Sequence, residues 1–246
     1  MKIEVIPERK EYEDFLEFYP PQLANKFLPD WYKNSGKLKS RYNNFLNQID
    51  ENNAPMTVKN CPAIVDALTT GIILPLWGHF DFATFIDEET NDKIQAWDFT
   101  GKNINGSNVD EFVQYHTENQ FENMPVKKTV DGRLLKIKCP YKFIVPEGYN
   151  IYYTDPFYTY RRSIRLLSGV VEADKWGFIT FPFEILEESF TITAGEPFVH
   201  LFIYKREEEK INLNLRNGTD EEYETNKKHH RELFITAKHY KDLKTR

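Results

Sequence analysis

Cysteine is nearly missing from this chain of 246 residues: there are two, Cys61 and Cys139, far apart. They form no zinc-ligand spacing and no redox motif, so reduced thiols are expected. No apolar run approaches the roughly 18 residues that a membrane span needs. Met1-Lys2-Ile3-Glu4 runs straight into charge, so neither a signal peptide nor a membrane partner is expected. A basic surplus is also missing. The net charge is −6, whereas non-specific nucleic-acid binders carry a positive patch, so nucleic acid is not an expected partner. There is no Walker loop, no Gly-x-Ser-x-Gly elbow and no dinucleotide fingerprint.

What the chain does have is rings. Aromatic residues make up 15% and phenylalanine alone numbers 19. Large rings suit β cores and interfaces, and most are expected in the core. The length fits one large domain, or one domain with an appendage. Such a chain buries about 70–75% of its unfolded surface without staples.

The densest β signal lies between Glu147 and Arg206. Tyr149, Ile151 and Tyr153 alternate with Asn150, Tyr152 and Thr154, the period of a half-buried strand. Asp155-Pro156 breaks it. Ile164 to Val171 is a second apolar run and Gly177 to Ile185 a third. Phe190, Ile192 and Ala194 then face one way, and Phe198 to Tyr204 forms a last strand stopped by the charged run from Lys205. Short strands about 8–12 residues apart, with turn residues between them, point to a barrel or sandwich.

Four segments of this stretch fall in a known order. They are Glu147-Gly148-Tyr149, Gly169-Val170-Val171-Glu172-Ala173-Asp174, Gly177-Phe178-Ile179-Thr180-Phe181, and Phe190-Thr191-Ile192-Thr193-Ala194-Gly195 leading to His200-Leu201. Together they resemble the dUTPase and dCTP deaminase superfamily, a β-clip fold. The resemblance implies positions as well as a fold. Glu172 stands where those dUTPases keep a water-activating Asp, Lys175 where a Tyr stacks on the base, and His200 where a Gln closes the core. Thr154-Asp155-Pro156-Phe157 stands at the phosphate motif, where Asp155 would repel phosphate. Pro182, which cannot ionise, takes the place of the deaminase acid–base Glu. A second resemblance covers more of the chain. Leu28-Pro29-Asp30-Trp31-Tyr32-Lys33, Cys61-Pro62 through Gly71 to Pro75-Leu76-Trp77, Tyr153 to Phe157, and Gly169 to Asp174 are similar to an uncharacterised domain family of bacteria and tailed phages. That family has no activity to pass on, but it implies a phage setting.

Elsewhere, Lys2 to Ile6 reads as a strand, and Pro20 to Lys33 as an irregular segment in which Pro29 and Trp31 either wrap over the protein's own core or anchor an apolar ring in a partner. Leu38 to Ile49 has helical spacing and reads as a short helix or irregular arm. Pro62 to about Thr70 is a helix, opened by Asn60 or Cys61 and ended at Gly71. Ile72 to Ile86 is one long strand or two short ones, with Lys93 to Thr100 as hairpin partner. Val109 to Glu118 reads as a short helix. Asp131-Gly132 marks a hairpin with arms Lys128–Val130 and Arg133–Lys138. Thr219 to Arg246 reads as a helix capped by Thr219 with Glu222 three residues on. The expected fold is mainly β, a dUTPase-like distorted barrel or sandwich. Residues 1–56 would be a strand and irregular arm, 57–206 the β-rich domain, and 207–246 a charged linker and C-terminal helix.

The functional expectation is a non-enzymatic phage-type structural or interaction protein, a virion or assembly component located in the virion or host cytoplasm. It would associate with itself, as a trimer or higher ring, and with other virion or host proteins. Trp31, Tyr32, Trp77 and Trp176 are its interaction candidates, and it needs no cofactor. A rival is a nucleotide-binding or nucleotide-hydrolysing protein, with Glu172 and Asp174 as catalytic carboxylates and with Arg161, Arg162, Arg165 and His200 on the ligand. Magnesium enters only there. The Arg161-Arg162-Arg165 cluster reads alternatively as an exposed turn, and His200 as a half-exposed sheet residue. A further rival is a host-factor inhibitor acting through strand edges. His79, Asp81, His116, His200 and Asp174 could in principle converge as a metal site, but no pair has helix ligand spacing, so no metal is expected.

Overall fold

The computed structural model describes residues 2–36, 42–43, 48–49, 57–100, 112–159, 163–206 and 213–235. In chain order the elements begin with β1 (Glu4–Pro7), α1 (Glu13–Phe18) and β2 (Gln22–Leu23). Next come α2 (Asp30–Asn34), β3 (Tyr42–Asn43), β4 (Gln48–Ile49) and α3 (Pro62–Thr69). Strands then follow one another: β5 (Ile72–Pro75), β6 (His79–Ile86), β7 (Lys93–Thr100), β8 (Val113–His116), β9 (Leu134–Lys138) and β10 (Tyr141–Ile144). After them lie β11 (Tyr149–Thr154), β12 (Ile164–Leu166), β13 (Gly169–Val171), β14 (Thr180–Ile185), β15 (Ser189–Ile192) and β16 (Pro197–Lys205). The described chain ends with α4 (Asp220–Ile235).

The chain divides into two compact units. Met1–Phe27 and Thr70–Arg206 form the β unit; Leu28–Thr69 and Glu207–Arg246 form the other. In the β unit the strands make a five-stranded sheet β13-β11-β16-β5-β2, a four-stranded sheet β12-β14-β9-β8, a three-stranded sheet β15-β6-β7 and a ribbon β1-β10. The pairings within them are antiparallel. The fold is mainly β, as composition and alternation imply.

The inward faces follow the period-two pattern. Ile151 and Tyr153 come from β11, Val199 and Leu201 from β16, Phe181, Phe183 and Ile185 from β14, and Phe80 and Phe82 from β6, and all join one core. The N-terminal segment belongs to it as well: β1 pairs with β10, β2 with β5, and Tyr12 and Phe15 are buried in the core. The Tyr141 hydroxyl points at the carbonyls of Phe15 (2.9 Å) and Tyr19 (2.8 Å), closing the C-terminal end of α1. Two apolar stretches are broken by identifiable causes. Ile72 to Ile86 splits at Leu76-Trp77-Gly78, where a Cβ on Gly78 would lie 2.5 Å from the Phe99 ring. Ile164 to Val171 splits at Leu167, whose amide turns to the carbonyl of Pro182 (2.8 Å).

Three local expectations change. Val113–His116 is a strand paired with β9, not part of a helix, because Val113 and Tyr115 stand opposite Ile137 and Leu135; residues 109–111 lie outside the described residues. The Asp131-Gly132 turn forms, with Gly132 at φ +77 and the Thr129 amide on the Arg133 carbonyl. Its first arm joins no ladder, however, since the Val130 amide goes to Gln95 Oε1 (2.9 Å). Between Leu38 and Ile49 the described residues pair as β3 with β4 instead of forming a helix, and the rest of that segment lies outside the described residues.

In the second unit, α3 begins at Pro62, as its missing N–H allows at a helix start. α4 carries the expected capping box. The Thr219 amide reaches Glu222 Oε2 (2.8 Å) and the Glu222 amide reaches Thr219 Oγ (3.2 Å). Residues 236–246 of the expected helix lie outside the described residues.

Candidate functional site

Glu172 and Asp174 lie in the turn after β13, and their surroundings follow from the β11–β16 register. Tyr149 pairs with Lys205, so Gly148 and Arg206 meet just beyond the ladder, and the Arg206 amide donates to the Gly148 carbonyl (2.7 Å). Gly148 has φ +78, a left-handed conformation that favours glycine. Its own amide donates to Asp174 Oδ2 (2.8 Å). The Arg206 guanidinium then grips the same carboxylate with both terminal nitrogens (3.2 and 2.8 Å) and also donates to Asn150 Oδ1 (2.9 Å). Such a fork is the strong, geometrically specific form of an ion pair. Glu172 pairs with Lys175 (2.6 Å) and lies 3.4 Å from Arg206.

The Arg206 hydrogen bonds, with the Gly148 amide second, hold the Asp174 carboxyl down to about 2. The Lys175 hydrogen bond, helped by the charges of Lys175 and Arg206, lowers Glu172 below its ordinary value. A general base at neutral pH works best with an affinity for protons near that pH. Both carboxylates are shifted the other way. Chemically the cluster is a staple joining the β13–β14 turn to the ends of β11 and β16.

The remaining candidates do not converge on it. His200 lies six residues before Arg206 on β16, about 20 Å away at the rise of a strand. It is not a half-exposed sheet residue: it is 1% exposed, with Phe202 at 4.2 Å and Phe157 at 5.3 Å between ring centroids. Arg165 is held by Glu184 through both Nε and a terminal nitrogen. Arg161 and Arg162 lie outside the described residues. Among the metal-type residues, His79 Nδ1 accepts the Ala194 amide (3.4 Å), Asp81 accepts the Thr191 hydroxyl, and His116 Nδ1 sits 3.1 Å from Gln120 Oε1.

The interaction candidates divide as well. Trp77 is fully buried, in the core and not on a surface. Trp31 is partly exposed and meets Tyr32 edge-on at 5.7 Å. Trp176 is 66% exposed, and Phe178 beside it 64%. Both stand on the β13–β14 loop that Asp174 staples. Two members of the network escaped sequence reading. Arg206 lies in the run from Lys205 to Lys210 read only as a charged stop after the last strand, and Asn150 sits at a polar position of an alternating strand. A sheet register would have found both, because it places them side by side.

Asp174→Asn tests the staple through its pH dependence. The folded-state value of about 2 lies below the ordinary value of about 3.9. The stabilisation is therefore present above pH 4 and lost as pH falls toward 2. Urea midpoints of wild type are expected to fall over that window, and those of Asp174→Asn to start lower at pH 7 and fall less.

Among the described residues no helix is long and apolar enough to cross a membrane. No family model matches the chain, and no curated protein matches it. Among solved structures, the native EIAV dUTPase is similar to 57% of this chain over 99% of its own length, at 12% identity and a TM-score of 0.30. At that score the overlay carries no argument, and the mainly β antiparallel architecture stands on the strand pairing described above.

Proposed function

We propose that this protein works as an interaction or structural component and not as an enzyme. The finer form of the reading, a phage-type virion or assembly protein that associates with itself in a closed ring or trimer, rests on the sequence resemblances and on the prevalence of closed symmetry among homo-oligomers. The observation that carries the reading is the commitment of Glu172 and Asp174. The carboxylates that a water-activating role would require are bound to Lys175 and Arg206 and shifted away from the range of a useful base. The same staple fixes the loop that presents Trp176 and Phe178 to solvent. Tryptophan is enriched among the residues that dominate binding energy, and aromatic rings are enriched at interfaces generally.

Light scattering across a concentration series tests self-association. Wild type is expected to exceed the monomer mass, and Trp176→Ala with Phe178→Ala to return it to a folded monomer whose melting temperature no longer depends on concentration. A wild-type monomer at every concentration would rule out the oligomer. A nucleotide that raises the melting temperature in the presence of Mg²⁺ would replace the reading with nucleotide binding, since saturation a hundred-fold over Kd adds about 2.7 kcal/mol. Mass spectrometry of purified virions tests the virion assignment.

A further inference from the structure

His200 is a neutral histidine in a place built for only one of its protonation states. Its Nε2 lies 2.7 Å from the carbonyl of Thr70. A carbonyl only accepts, so Nε2 carries the proton and Nδ1 is a bare lone pair. Nδ1 is buried with no hydrogen-bond partner among the described residues. The bond matters because of what Thr70 begins. Gly71 follows at φ +90, packed so closely that a Cβ would lie 2.4 Å from the Leu201 carbonyl and 3.1 Å from His200 Nε2. β5 starts one residue later, between β16 and β2, and the Gly71 carbonyl accepts the Ala24 amide (3.0 Å). His200 thus fastens the point where the chain enters the five-stranded sheet.

Among the described residues no opposite charge offsets a positive ring. Thr154 stands opposite His200 on β11 and Ile73 opposite it on β5, with Phe157 and Phe202 against the ring. Asp155, next to Thr154, accepts the Leu166 amide (3.0 Å), and Glu196, four residues before His200, accepts the Thr193 amide (2.9 Å). Burial is the main influence on this imidazole and disfavours its charged form, with the Thr70 carbonyl acting against it. The Phe202 face returns something to a cation, but it gives a new Nδ1–H no acceptor.

We propose that His200 is an acid-operated latch: as a neutral ring it holds the Thr70–Gly71 entry against β16, and protonation releases that entry and loosens β5 and β2. This goes beyond the interaction reading and does not depend on it. The sign follows from linkage. The opened state takes up the proton more readily than the closed one. The latch is therefore secure above the ordinary histidine value of about 6.5 and weakens as pH falls below it, by up to about tenfold in closure per pH unit.

Hydrogen exchange resolved by residue, corrected for the intrinsic pH dependence of exchange, reads this at the Ala24 amide. In wild type its protection is expected to fall by up to about tenfold per unit between pH 6.5 and 5. In His200→Gln, which keeps a neutral donor for Thr70 but cannot titrate, protection should stay level. Equal losses in both proteins, or no loss in wild type, would overturn the latch. If the variant does not fold, ¹³C-labelled histidine in wild type decides. The His200 ring must titrate together with the loss of Ala24 protection, and a ring that takes up its proton while Ala24 stays protected overturns the proposal.

Discussion

Trp77→Ala is expected to cost roughly 3–5 kcal/mol, the range for removing a large buried aromatic, and so a large part of a typical domain's 5–15 kcal/mol. The indole lies in the bend between β5 and β6 and touches rings from separate elements. These are Phe99 on β7 (6.2 Å), Phe112 before β8 (6.3 Å), Tyr141 on β10 (6.2 Å) and Phe198 on β16 (6.0 Å). No neighbour can collapse into the void without drawing a strand with it. The ring also explains the glycine beside it, since Gly78 lets Phe99 close on the bend. Its Nε1 is buried without a hydrogen-bond partner among the described residues. Trp77→Phe removes that unsatisfied donor along with some volume, so its cost should be well under half that of alanine. Urea unfolding with an unchanged slope measures both. An alanine variant within 1 kcal/mol of wild type would show that the bend does not organise the core.

Period-two alternation made much of this architecture legible. Tyr149–Thr154, the His79–Thr100 hairpin and the helix starts at Pro62 and Thr219 follow from side-chain spacing and from donors that a helix end leaves unpaired. What alternation cannot tell is whether a given face is covered. His200 and Glu184 both lie on the faces turned from their sheets' own apolar rows, yet each is buried, one under Phe157 and the other beneath Arg165 and the Lys127 amide. Trp77 was among the interaction candidates because tryptophan favours interfaces, but a bend between two strands can place a ring at the centre of a core. Val113–His116 followed a distant partner, β9, over its helical spacing. Candidate site residues were harder still. Glu172 and Asp174 were found by position in a pattern. Their meaning depended on Arg206, which reaches them only because β11 and β16 pair in one register.

Arg165 offers the sharper test of how charges are used here, because the pair it makes is asymmetric. Glu184 is 2% exposed whereas the Arg165 side chain is 62% exposed. Removing the carboxylate frees an arginine that water can solvate. Removing the arginine strands a carboxylate that, among the described residues, keeps the Lys127 amide (2.7 Å). Arg165→Ala is thus expected to cost roughly 3 kcal/mol, the low end for breaking a buried pair, since solvent at the arginine end already screens the attraction. Glu184→Gln should cost less, and the double variant less than Arg165→Ala alone, because a neutral amide still accepts from Lys127 and leaves no stranded charge. A double-mutant cycle by urea unfolding measures the coupling directly. Had Arg165 been a phosphate ligand, its loss would change ligand affinity and leave stability nearly untouched. An alanine variant as stable as wild type would return it to that role, whereas a destabilised one rescued by Glu184→Gln fixes it as the counter-charge that lets β14 carry an acid inside the sheet.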